Sequence, residues 1–103
     1  LVDLGEVTPT SYSQTECFDA GVTFARAEGI VPAPEANHAV KGAISEALRC
    51  KEEGESRAIL FNLCGHGYFD MQAYTDYNAG KLQDYAYDEG EAAMALAGLP
   101  AVA

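Results

Sequence analysis

Tryptophan is absent from this sequence, cysteine occurs three times, and basic residues number six against sixteen acidic ones, for a formal net charge of -10. A chain so short of cations repels phosphate backbones and the anionic face of a membrane, so nucleic acid is excluded as an expected partner. No apolar run approaches the roughly 20 residues that cross a bilayer, and no basic-then-apolar leader opens the chain. A cytoplasmic setting is expected. Cys17, Cys50 and Cys64 are odd in number and widely spaced, which suggests neither a disulfide framework nor a zinc knuckle. What is present is an ordinary globular composition, 49% hydrophobic and 21% charged over 103 residues, and no internal repeat. One domain spanning 1–103 is expected.

Along the chain, Val7 and Tyr12 permit a short strand over Glu6 to Tyr12. Ser13 and Glu16 form an S-x-x-E capping box, and Cys17, Gly21, Phe24 and Ala25 continue as an apolar helical stripe to about Glu28. Gly29 suits the residue after a helix end, and Pro32 and Pro34 hold the next segment as a rigid linker up to Glu35. Ala36, Ala39, Val40, Ala43, Ile44, Ala47 and Leu48 then recur at spacings of three and four, an amphipathic helix to about Glu53 that Gly54 ends. Its alanine-rich stripe calls for a closely approaching partner surface.

Arg57 to Leu63 is a nearly unbroken apolar run, the pattern of a strand buried on both faces of a parallel sheet. A carboxylate in place of Leu60 is therefore expected to prevent folding. Asp70 is placed to cap a helix carrying Met71, Tyr74 and Tyr77 on one side to near Gly80, and Asp88 and Glu91 open a last helix through Leu96. The expected fold class is α/β: an incomplete three-layer unit with helices packed on a short parallel sheet. Because two strands make a thin sheet, completion by self-association is expected, with a homo-dimer favoured. The tyrosines at 68, 74, 77, 85 and 87 are read as core edge or subunit contact, with subunit contact the preferred reading.

Chemistry points to two segments, Glu28-Gly-Ile-Val-Pro-Ala-Pro-Glu-Ala-Asn-His-Ala39 and Leu60-Phe-Asn-Leu-Cys-Gly-His-Gly67. Glu35 by itself suits a helix N-terminus, where the dipole favours a carboxylate, and His38 receives no role. Cys64 and His66, two residues apart, admit a thiolate–imidazole pair or a metal-binding thiol, although a zinc site wants three or four ligands.

Together the two segments resemble the tryptophan synthase beta chain, in particular its second, less common type, and the likeness runs from about Tyr12 to Lys81. The resemblance implies the C-terminal part of a pyridoxal-phosphate enzyme of fold type II that replaces the hydroxyl of serine with indole. It implies a cofactor-binding set of Glu35, Cys64, Gly65 and His66, with Glu35 near the ring and Cys64 at the pyridine nitrogen. Cys64 departs from the serine most often expected there, and a thiol is the weaker hydrogen-bonding partner. The family's Schiff-base lysine and glycine-rich phosphate cup have no counterpart, since Lys41, Lys51 and Lys81 match neither. The chain alone is accordingly expected to bind no cofactor and to be inactive, unless a separate N-terminal polypeptide complements it.

Overall fold

The computed structural model describes residues 1–86 and 88–98. Among the described residues four helices follow in order: α1 (Gln14–Glu28), α2 (Ala36–Glu53), α3 (Met71–Asn78) and α4 (Glu89–Leu96). The local chemistry of their ends is what the sequence dictates. Ser13 and Glu16 cap α1 reciprocally, and Gly29 ends it in the left-handed conformation at φ 71°. Gly54, at φ 68°, ends α2 in the same way. Asp88 accepts from the N–H groups of Gly90 and Glu91 to start α4, none of whose residues is buried. Asp70 precedes α3 without capping it through its side chain.

The core is small and lies between α1 and the two helices packed on it. Cys17, Phe18 and Ala20 of α1, Ala36 and Val40 of α2, and Tyr74 of α3 are all buried. Phe18 organises the α1–α3 contact, meeting the Tyr74 ring edge-on at 5.0 Å and stacking on Tyr77 at 5.6 Å. The α2 stripe is covered unevenly: Ala43 and Ile44 are half-buried, and Cys50 in the last turn is buried. Ala36, Asn37 and Val40 are buried, whereas Ala47 and Leu48 face solvent.

The expected parallel sheet is not there among the described residues. The β pairing present is one isolated antiparallel bridge, Pro32 with His66. The Glu6 to Tyr12 strand fails for local reasons: Gly5 and Glu6 turn back to bond Val2 and Leu1, and Pro9 has no N–H to offer a ladder. The 57–63 segment keeps strand-like alternation without a strand's partners. Ile59 and Phe61 are half-buried, with Phe61 edge-on to Phe24 of α1 at 5.9 Å, while Leu60 between them is 97% exposed. One face is covered, not two, so the expectation that a charge at Leu60 prevents folding of this chain is withdrawn. A strand is held by cross-strand hydrogen bonds, and the described chain provides no neighbour to make them. The tyrosines also divide: Tyr74 is core, Tyr77 half-buried, Tyr68 and Tyr85 exposed, and Tyr87 lies outside the described residues.

The radius of gyration is 16.7 Å, where a compact domain of this length has about 13 Å. The accessible surface is 8003 Å², against about 5,600 Å² for a compact chain of this mass. Both excesses describe an open chain, and Leu1, Leu4, Leu60, Phe69 and Met94 are among the large apolar side chains it leaves exposed. Among the described residues no helix is long and apolar enough to cross a membrane.

The start of α1 also collects two carboxyls whose ionised forms are favoured. Backbone and side-chain bonds from Ser13 hold Glu16 below the usual carboxylate range, and bonds from the Thr15 hydroxyl and N–H do the same for Asp84. Burial pushes the Cys17 thiol and the Tyr74 hydroxyl up. The carboxyl contributions are present above the ordinary value of about 4 and are lost as pH falls through the lowered folded values. The Cys17 contribution runs the other way, declining as pH rises past the ordinary thiol value of about 8.5. The urea midpoint is therefore expected to form a dome between these limits, and a flat profile by circular dichroism would contradict this account of α1.

Candidate functional site

The site is a corner built where the proline linker meets the glycine loop. Two backbone bonds close it: the Ala33 N–H donates to the Gly65 carbonyl at 2.9 Å, and the Gly67 N–H donates to the Val31 carbonyl at 2.8 Å. Only glycine fits at 67, because a Cβ there would stand 2.5 Å from the Pro32 carbonyl oxygen and 2.9 Å from the Val31 side chain. At Gly65 a Cβ would press on the Ala33 methyl at 3.3 Å. The two segments that carry the sequence resemblance are thus pinned to each other across more than thirty residues.

Behind the corner lies a buried polar knot. Tyr74 reaches from α3 and donates its hydroxyl proton to the Pro32 carbonyl at 2.6 Å. Asn37, fully buried in the first turn of α2, donates its Nδ2 to the same hydroxyl at 3.0 Å. Every buried side-chain polar atom among the described residues has a partner, so the knot leaves nothing unsatisfied.

Glu35 sits exposed immediately before α2, in helical conformation and without a side-chain cap bond, so a capping role is not what places it. It borders an open, mainly apolar cavity of about 230 Å³ together with Gln14, Cys17, Phe18, Pro34 and His38. Cys64 is exposed and free, Gly65 is half-buried, and His66, in the bridge itself, is exposed. His66 Nδ1 accepts the Tyr68 N–H at 3.3 Å, which in the neutral ring leaves its proton on Nε2, and the ring lies against Tyr68 and Phe69. The fold therefore brings the linker and the loop together, but Cys64, Gly65 and His66 do not line the cavity that Glu35 borders. The contacts of the His66 ring are within its own loop, to Tyr68 and Phe69. Among the described residues no three His, Cys, Asp or Glu side chains gather as a metal site.

Lysine is not found at the corner. Lys41 pairs with Glu16 at 3.7 Å beside the Tyr12 ring, Lys81 pairs with Asp76 at 3.7 Å, and Lys51 is exposed in the last turn of α2. The sequence places Tyr74 on a helix face but shows neither the role of its hydroxyl, nor that of Asn37, nor the bridge itself. The one signal available for Asn37 was a polar residue beside the alanine stripe at the start of α2.

Curated relatives decide the family. The chain is 62% identical over 84 residues to "Tryptophan synthase beta chain 2" of Aquifex aeolicus, a match covering 82% of this chain and 19% of that protein. It is 54% identical over 88 residues to "Tryptophan synthase beta chain" of Thermococcus gammatolerans, covering 85% and 20% respectively. The chain belongs to the tryptophan synthase beta chain family. A third relative, "Tryptophan synthase beta chain 2" of Methanosarcina mazei, is 57% identical over 79 residues. No protein-family model matches the chain. The chain spans about a fifth of the length of these relatives, and the correspondence is to a C-terminal segment of a tryptophan synthase beta chain.

Proposed function

We propose that this chain supplies one wall of the cofactor site of a cytoplasmic tryptophan synthase beta-type enzyme, and that it does not run the reaction by itself. The observation that carries the reading is the bridge between the Pro32 linker and the Gly65–Gly67 loop, which holds both family motifs in one corner. The residues present fit an edge of pyridoxal phosphate and not its anchor. An exposed thiol and an exposed carboxylate flank a backbone held rigid by the bridge, while the Lys41 and Lys81 amines are paired with Glu16 and Asp76. When bound, the cofactor supplies the electron sink for exchanging the serine hydroxyl for indole.

What this chain adds is binding and placement. Cys64 would meet the ring nitrogen as a neutral partner, which suits chemistry that leaves that nitrogen unprotonated, and Glu35 would lie near the ring. Gly65 and His66 would form the loop around it, with Gly65 letting the main chain come close. The phosphate and the aldehyde fall to an N-terminal polypeptide, which also covers the exposed 57–63 edge. The uncovered surface supports that half of the reading, and without such a polypeptide the same edge favours a dimer of this chain, which light scattering resolves.

Borohydride reduction after incubation with pyridoxal phosphate, followed by intact mass and peptide mapping, tests both halves. The chain alone is expected to take no stoichiometric label. Mixed with the Aquifex aeolicus relative truncated before the matching segment, it is expected to restore a retained cofactor and its visible-edge absorbance. Stoichiometric labelling of one lysine in the isolated chain would overturn the need for a partner. Failure of the mixture to retain cofactor would count against the corner as its wall.

A further inference from the structure

Tyr74 does more in this fold than its ring requires. Packing against Phe18 needs only the aromatic face, and phenylalanine would provide it. The hydroxyl instead binds two groups that bracket Glu35 in sequence: the carbonyl of Pro32, three residues before it, and the amide of Asn37, two residues after it. The same ring stands 3.1 Å from where a Cβ at Gly67 would be, so the glycine loop is seated against it as well. One side chain on α3 thus touches the linker, the first turn of α2 and the loop that follows Cys64. Burial keeps the hydroxyl protonated and able to donate.

We propose that Tyr74, acting with Asn37, is a positioning residue that fixes the Glu35 segment relative to the Cys64–Gly67 loop, the hydroxyl holding one arm of the corner and the ring the other. The inference rests on the reading above only for what the corner serves, and the geometry itself belongs to this chain alone. The geometry makes a specific demand. Loss of the hydroxyl should loosen the bridge between the two arms more than the α1–α2 packing, where Asn37 also loses a partner.

Tyr74→Phe keeps the ring on Phe18, so the helical core is retained and the comparison stays interpretable. In the 103-residue chain, amide exchange at Ala33 and Gly67, the two bridge donors, is expected to rise about tenfold, with less than about a twofold change at Val40. In the mixture with the truncated Aquifex aeolicus relative, kcat is expected to fall about tenfold with the serine KM little changed, because misplaced groups cost rate more than binding. An equal rise at all three amides would reduce Tyr74 to a packing residue and overturn the proposal. Unchanged exchange at the bridge would overturn it too. A mixture that retains no cofactor with the unsubstituted chain sinks the functional reading instead, and the exchange arm still decides the role of Tyr74.

Discussion

Gly21→Ala is expected to lose most of the stability of this chain. A Cβ at Gly21 would stand 2.2 Å from Asn37 Oδ1 and 2.6 Å from its Nδ2, in the middle of the α1–α2 contact. Asn37 is fully buried and bonded to Tyr74, so its amide cannot swing aside without stranding buried polar atoms. The alternative is to part the helices, which opens the packing around Val40 and Cys17. Overpacking and the broken buried bond together cost about 3 kcal/mol or more. Natural domains have only about 5–15 kcal/mol in total, and this core is small. Gly42→Ala is the control. It meets only the Tyr12 ring, at 3.9 Å, and replaces glycine in a helix interior, so it should stabilise by about 0.5–1 kcal/mol. Urea denaturation of the three proteins gives the comparison, and equal midpoints would refute the Gly21–Asn37 contact.

That contrast shows which parts of the fold were legible in the sequence. Helix ends are written in a few adjacent residues, so Ser13 with Glu16, Gly29, Gly54 and Asp88 could be read one by one and were found where expected. The difference between Gly21 and Gly42 could not, because it depends on which face of α1 meets α2. The sheet was misread for a related reason. The apolar run 57–63 has the composition of a buried strand, but composition records the environment for which a segment is suited, whereas pairing needs neighbours. Here one side of the run rests on Phe24 and the other meets solvent.

The site follows the same division. Both motifs were visible, and so was their likeness to the beta chain. Their contact was not, since Ala33 N–H to Gly65 carbonyl is a backbone bond that no side-chain pattern announces. Tyr74 was expected at a core edge or, by preference, a subunit contact, and its hydroxyl gained meaning only once the Pro32 carbonyl was seen opposite it.

Leu60→Asp separates what this chain does alone from what it does in an assembly. Leu60 is 97% exposed, so a carboxylate there removes no contact, and the stability of the isolated chain should change by less than about 0.5 kcal/mol. If the N-terminal polypeptide covers this edge, the same substitution forfeits about 1.5–3 kcal/mol of leucine burial and adds the cost of a desolvated charge. Affinity for the truncated Aquifex aeolicus relative should then fall at least about a hundredfold, which titration calorimetry would measure. Phe61→Asp provides the internal contrast, since its ring already packs on Phe24 and its loss should weaken the isolated chain as well. Unfolding of the isolated chain by Leu60→Asp would mean that the outward face of 57–63 is covered within this chain. Undiminished affinity would mean that the polypeptide docks elsewhere, and the surplus apolar surface would then be assigned to contact between copies.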